Sequence, residues 1–148
     1  MVFTFSMILI QEIKQWDLTG KEIEYIPMTW EDRQRTRQRI KTKSGLELGL
    51  TLPTGTLLRP GDILHIEGNL AFIVAAREED VLVIKPSDWR EAALVAHHIG
   101  NQHKTIAIEP DGILVLYDLP LEVFFKKIKV TFRRELRPFN PHFQSHHP

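Results

Sequence analysis

The chain has 148 residues, of which 43% are apolar and 26% are charged, and its formal net charge is zero. This length fits one ordinary domain or two small ones, and this composition is typical of a folded protein. The neutral charge provides no global field that would attract nucleic acid, and the absence of cysteine excludes disulfides, thiolate metal sites and thiol nucleophiles.

The first ten residues, MVFTFSMILI, are apolar. They are too short to span a bilayer and lack the basic start and small-residue cleavage site of a signal peptide. We interpret them as a strand or as additional N-terminal sequence, and we expect a cytoplasmic protein with no membrane partner. From Ile10 to about Ala75 apolar and polar residues alternate between frequent turn signals. The pattern predicts an all-β domain over residues 1–76.

Four arginines occupy every second position of the segment RQRTRQRIK, namely Arg33, Arg35, Arg37 and Arg39. On a strand they would share one face. A solvated edge face that prevents edge-to-edge pairing explains them most simply. A protein-docking surface is the next interpretation, because arginine is favoured at interfaces. RNA binding usually needs more basic surface and stacking aromatics.

Residues 77–137 show a different pattern. VLVIKP predicts a strand, and Asp88 with Glu91 resembles a capping box that begins a helix ending at Gly100. The segments KTIAIE and GILVLYD predict two strands joined by a turn at Pro110-Asp111-Gly112. Asp118 can cap a second helix, and KVTFRREL predicts a final strand.

The apolar spacing also predicts which helix faces are buried. These are Ala92, Ala93, Ala96 and Ile99 on the first helix, and Leu121, Phe124, Phe125 and Ile128 on the second. The order β-α-β-β-α-β indicates an α+β, ferredoxin-like domain. The remaining residues, 138–148, contain three prolines and three histidines and predict a flexible tail.

Catalytic and phosphate-binding motifs are missing from the sequence. It contains no G-x-S-x-G nucleophile elbow, no G-x-x-x-x-G-K-[ST] loop and no G-x-G-x-x-G loop. The acidic pairs Glu31-Asp32 and Glu78-Glu79 lie at apparent turns, where solvation explains them. We therefore expect a protein that is not an enzyme.

The segment HHIGNQH contains three of the seven histidines. His97 and His98 are neighbours about 100° apart on a helix, so a structural role is favoured for both. His103 lies beyond the helix end, where it can stand at the surface. One imidazole makes a poor metal site, but a two-fold axis would bring two copies together. His142, His146 and His147 in the tail are candidate additional ligands, and imidazole without thiolate suits nickel, copper or zinc.

Two segments carry recognisable motifs. GNQH is followed by KTIAIEPDGILVLYD, and RQRTRQRIKTKSGLELGLTLPTGTLLRPGDIL contains an arginine-rich strand with Leu-Pro-x-Gly and Leu-x-x-Gly-Asp segments. The first is similar to the Gly-Asn-x-His motif of the urease accessory protein UreE family of nickel metallochaperones, and the second resembles that family's arginine-rich strand and the segments after it. The similarity extends over most of the chain, from about residue 10 to residue 137.

The resemblance implies a homodimer in which His103 of each subunit binds one shared nickel ion, with the tail histidines as auxiliary ligands. It also implies an N-terminal peptide-binding module, and delivery of nickel to the urease apoprotein complex through an accessory GTPase. Zinc or copper would be alternative metals in vitro. The other functional hypothesis is a protein- or RNA-binding adaptor that uses Arg33 to Arg39 and has only structural histidines.

Overall fold

The computed structural model describes residues 7–141, and the chain divides into two compact units between Ala76 and Arg77. Both units are mostly β with a few helices, which confirms the predicted two-domain organisation at this level. No helix among the described residues is long and apolar enough to cross a membrane.

In its described residues, 7–76, unit 1 is built from two three-stranded sheets. Its elements are β1 (Ile8–Ile10), β2 (Glu22–Met28), α1 (Trp30–Gln34), β3 (Arg37–Lys41), β4 (Glu47–Thr51), β5 (Ile63–Glu67) and β6 (Leu70–Ala76). The strand orders are β1-β4-β3 and β2-β6-β5, and in each sheet one neighbouring pair is parallel and the other antiparallel. Residues of both sheets, including Leu48, Leu50, Phe72 and Val74, share one buried core.

The short helix α1 was not predicted, and it changes the position of the arginines. The Thr29 hydroxyl accepts a hydrogen bond from the Asp32 backbone N–H at 3.0 Å, and the Asp32 carboxylate accepts one from the Thr29 N–H at 3.1 Å. This capping box begins α1, and the helix stops at Gln34 because its cap, Arg35, has an extended backbone. The predicted four-arginine strand face is therefore wrong for Arg33, which lies in the helix and is 1% exposed. It is also wrong for Arg35, which precedes the strand.

Unit 2 has the order β-α-β-β-α-β. Its elements are β7 (Glu78–Lys85), α2 (Trp89–Asn101), β8 (Ile106–Glu109), β9 (Gly112–Leu116), α3 (Leu119–Ile128) and β10 (Thr131–Pro138). The sheet order is β10-β7-β9-β8, and all neighbouring pairs are antiparallel. The core joins one face of the sheet to both helices and includes Leu82, Ile84, Val95, Ile99, Ile113, Leu121 and Phe125.

Both helices of unit 2 begin at the predicted caps. Asp88 accepts a hydrogen bond from the Glu91 N–H at 2.8 Å, and Asp118 caps α3 in the same way. The predicted buried faces are partly wrong. Val95 is fully buried in α2 while Ala93 is exposed, and Ile128 in α3 is also exposed. Val95 lies three residues after Ala92 and four before Ile99, so these three share the helix face that packs on the core, whereas Ala93 lies off that face.

Two features stabilise the β8–β9 turn: the backbone conformation of Gly112 and the ion pairs of Asp111. Gly112 has a φ of +156°, and a Cβ at this position would lie 2.4 Å from the carbonyl oxygen of Ile84. The neighbouring Asp111 carboxylate accepts hydrogen bonds from Arg137 at 3.0 Å and Arg133 at 2.8 Å. The Arg137 hydrogen bond, helped by that from Arg133, lowers the pKa of Asp111 to about 2.

The packed part of unit 2 continues beyond the predicted start of the tail at residue 138. Pro138 pairs with Glu78 as the last residue of β10, and Phe139 is fully buried. Burial of this aromatic ring anchors the chain after the strand, which the proline-rich composition did not indicate. The rest of the predicted tail, residues 142–148, lies outside the described residues.

Candidate metal centre

His103 lies in the turn that ends α2. Its backbone N–H donates to the Gly100 carbonyl at 2.9 Å, and the Lys104 N–H donates to the Ile99 carbonyl at 3.3 Å. These two bonds form a Schellman motif, in which the residue after the cap adopts the left-handed conformation. His103 has a φ of +58°, so it occupies the position at which helices most often place glycine.

The predicted helix end differs from the observed one. The sequence indicated a stop at Gly100, but the helix continues to Asn101 and its cap is Gln102. Gly100 is exposed inside the last turn, and a Cβ there would have no heavy atom within 4 Å. The glycine is therefore not the left-handed residue of this cap, and the histidine takes that place.

An ion pair holds the residue that follows His103. The Lys104 ammonium lies 3.1 Å from the Asp118 carboxylate, which also caps α3 by accepting the Leu121 N–H. The turn after α2 is thus tied to the beginning of α3. His103 itself is exposed at this end of unit 2, so its imidazole is accessible from solvent.

The two neighbouring histidines, His97 and His98, differ in what they contact. The His98 ring stacks on Phe124 with 3.6 Å between ring centroids and 8° between planes, and its Nε2 lies 3.0 Å from the Gln102 amide nitrogen. This packing between α2 and α3 gives His98 a structural role, as the helix position led us to expect. His97 is exposed on α2.

A second charged network lies at the same end of the sheet, where β7 begins and β9 ends. Arg134 forms a bidentate ion pair with Asp80, with hydrogen bonds of 2.7 and 3.0 Å, and lies 3.5 Å from the centre of the Tyr117 ring. The hydrogen bond from Arg134 lowers the pKa of Asp80. Desolvation raises the pKa of Tyr117, and so does its hydrogen bond to Glu122.

Among the described residues, the predicted site residues do not form one cluster. Within residues 7–141, no group of three or more histidine, aspartate or glutamate side chains lies close enough to hold a metal ion. His142, His146 and His147 lie outside the described residues. Arg37 and Arg39 are exposed on β3, Arg35 precedes this strand, and Arg33 is buried.

Two features of the molecule were missed from the sequence. His65 in unit 1 has its Nε2 at 2.8 Å from the Glu67 carboxylate, and the two residues stand two positions apart on β5. The spacing of a histidine and a glutamate on one strand face is the signal that identifies this pair. The contact between His98 and Phe124 joins residues far apart in sequence and has no local signal.

Comparison with known proteins covers both units. Residues 9–77 match the family model described as the N-terminal domain of the UreE urease accessory protein, and residues 79–147 match the model of its C-terminal domain. A urease accessory protein UreE from Synechococcus sp. (strain JA-3-3Ab) is 40% identical over 94% of this chain and 93% of its own length. A protein of the same name from Deinococcus radiodurans is 39% identical over 83% of this chain and 79% of its own length. Another from Geobacillus kaustophilus is 34% identical over 82% of this chain and 82% of its own length.

Proposed function

Because the chain belongs to the UreE family of urease accessory proteins, we propose that it binds nickel and delivers it for assembly of the urease active site. The family consists of accessory chaperones, so the chain is not an enzyme and has a role in urease maturation. The observation that carries the nickel proposal is the exposed His103 imidazole in the left-handed position after α2.

The backbone of His103 supports a functional role for its side chain. An L-residue in the left-handed conformation costs about 1–2 kcal/mol relative to the ordinary helical one, and glycine avoids this cost. Strained residues of this kind cluster at ligand-binding sites, where the surrounding structure holds them in place. Lys129 at the end of α3 has a similar φ of +60°, so the proposal depends on the imidazole as well as on the backbone. A neutral imidazole is a good donor for nickel, copper and zinc, so the residue type fits the proposed cargo.

The second donor in our proposal is His103 of another copy. Divalent ions of this class need several donors, and a two-fold axis through the exposed turn would supply two equivalent imidazoles. We accordingly propose a homodimer whose second units meet at the end where α2 stops. We also propose that unit 2 is a ferredoxin-like domain, which its β-α-β-β-α-β order and its β10-β7-β9-β8 sheet support.

The tail histidines are proposed as auxiliary ligands. β10 ends, and β8 begins, at the same end of the sheet, separated by β7 and β9. Three strand spacings are about 14 Å, and a fully extended chain covers about 3.5 Å per residue. Counted from the buried Phe139, His146 and His147 are seven and eight residues on, so a chain of this reach covers more than the three strand spacings. His142, three residues on, has a shorter reach.

The destination of the nickel in this proposal is the urease apoprotein complex, reached through the accessory GTPase in the cytoplasm. The turn that carries His103 is at the surface, so the ion would sit where a partner can approach it. A site built from few imidazoles favours exchange over permanent retention. These properties suit a protein that transfers its cargo.

Isothermal titration of nickel into the purified metal-free protein tests the proposal. We expect one tight site per two chains, and we expect His103→Ala to lose it. His97→Ala is the matched control, because His97 is an exposed histidine on the helix that precedes His103 and is expected to leave the site intact. Tight binding at the same stoichiometry in His103→Ala would refute the assignment of His103.

A further inference from the structure

One ion pair lies directly beside the proposed nickel ligand in the sequence. The Lys104 ammonium is 3.1 Å from Oδ1 of Asp118, and Oδ2 of the same carboxylate accepts the Leu121 N–H at 3.1 Å. The side chains of Lys104 and Asp118 are 37% and 20% exposed, so the pair is only partly shielded from water. Among residues 7–141, Asp118 is the only acidic residue that forms an ion pair with Lys104.

The place of Lys104 in the chain brings a positive charge near any ion that His103 binds. Consecutive Cα atoms are about 3.8 Å apart, so the ammonium lies within roughly 15 Å of the imidazole even when both side chains are fully extended. A divalent cation bound to His103 is repelled by this charge. In the proposed dimer the two-fold axis brings two copies of Lys104 to the same ion, which doubles the repulsion.

Asp118 compensates the charge of Lys104. Because the carboxylate and the ammonium are 3.1 Å apart, the two charges lie at similar distances from an ion at His103, and their effects on it largely cancel. Removal of either charge leaves the other uncompensated. The two removals therefore have opposite consequences, since a lone carboxylate attracts a divalent cation and a lone ammonium repels it.

We propose that the charges of Lys104 and Asp118 set the affinity of the nickel site, an inference that rests on the proposed function of His103. While the pair is closed, the ion experiences little net charge from it. When Asp118 is withdrawn, Lys104 repels the ion and the affinity falls. A partly exposed ion pair is weak, so it opens at little cost to the fold, and this suits a protein that transfers its cargo.

Isothermal titration of nickel at about pH 8 tests the proposal with three full-length variants, Lys104→Gln, Asp118→Asn and the double variant. At roughly 15 Å in water a unit charge changes the affinity for a divalent cation about 2.5-fold, and screening in about 10 mM salt reduces this to about twofold. Two subunits thus give a change of at least about threefold. We expect Lys104→Gln to bind nickel more tightly by this factor, Asp118→Asn to bind it more weakly, and the double variant to stay within about twofold of the unaltered protein.

The controls separate the charge effect from damage to the fold. Asparagine is as good a helix cap as aspartate, so Asp118→Asn keeps the beginning of α3. The matched control is Lys126→Gln, which removes the lysine of the 3.9 Å Lys126–Glu122 pair. Lys126 lies about 12 Å further along α3 than Asp118, so we expect less than a twofold change. At about 1 M salt, where charges are screened within about 3 Å, all variants should bind nickel equally.

A purely structural role of the pair predicts a different pattern. Both single variants would then bind nickel more weakly, the double variant would not recover, and the differences would persist at high salt. If Asp118 were itself a nickel ligand, the double variant would bind as weakly as Asp118→Asn. Either pattern would overturn the proposal, and so would equal affinities of all variants at low salt.

Failure of the proposed function gives a separate result. The unaltered protein would then bind no nickel, or His103→Ala would keep the tight site, and the inference about the ion pair would fall with it. A tight site that is lost in His103→Ala but is unaffected by the charges of Lys104 and Asp118 would refute this inference alone.

Discussion

Replacement of His103 by glycine separates the contribution of this residue to folding from its contribution to metal binding. His103 has a φ of +58° and follows the cap of α2, with its N–H bonded to the Gly100 carbonyl. Glycine removes a left-handed penalty of about 1–2 kcal/mol but adds about 0.5–1 kcal/mol of chain entropy to be lost on folding. The net expectation is a stability gain of roughly 0.5–1 kcal/mol in the metal-free protein.

Thermal unfolding in the presence of a chelator measures this gain. For a domain of the size of unit 2 it corresponds to an increase in Tm of roughly 2–8 °C. His103→Ala is the control, because alanine keeps the left-handed penalty and is expected to show no such increase. Both variants are expected to lose the tight nickel site. A lower Tm for His103→Gly than for the unaltered protein would refute the reasoning, since it would show that the imidazole stabilises the fold through its own contacts.

Three other changes test the structure of unit 2. Asp111→Asn removes a carboxylate whose pKa is lowered from 3.8 to about 2 by Arg137 and Arg133; the stability advantage of the unaltered protein should be complete above about pH 5, decline as the pH falls through 4 and vanish near 2. Urea unfolding at a series of pH values measures it, and an advantage independent of pH would contradict the assignment. Gly112→Ala places a Cβ 2.4 Å from the Ile84 carbonyl oxygen and should cost about 3 kcal/mol in the same assay, whereas Gly100→Ala, with open space around the Cβ, should be neutral or stabilising. His98→Ala removes the ring stacked on Phe124 and should cost about 1 kcal/mol without changing the nickel titration; loss of the tight site in this variant would show that His98 is a ligand.

The beginnings of α2 and α3 were predicted correctly, because each depends on an interaction between residues close in sequence. Asp88 and Asp118 begin helices because their carboxylates accept the N–H three residues on, and this requirement is visible in four residues of sequence. The short helix α1 has an equally local signal in Thr29 and Asp32, but the regular arginine spacing that follows favoured a strand. Alternation alone did not fix where the strand begins.

The features that sequence could not predict depend on contacts between distant residues. Pro138 and Phe139 look like the start of a tail, but one pairs with Glu78 and the other is fully buried. The parallel pairing of β2 with β6 likewise joins segments separated by three other strands. The motif made His103 a candidate ligand, whereas its left-handed backbone depends on where α2 stops, and that end differs from the one that the sequence predicted.

Native mass spectrometry of mixed dimers measures the central claim directly. Isotope-labelled His103→Ala chains are exchanged with unlabelled, unaltered chains, and nickel is added at a concentration that fills the unaltered dimer. The proposal of one ion shared by two His103 side chains predicts one nickel in the unaltered homodimer and none in the mixed dimer or the variant homodimer. A mixed dimer that retains nickel as fully as the unaltered one would contradict it, because a single His103 would then be sufficient.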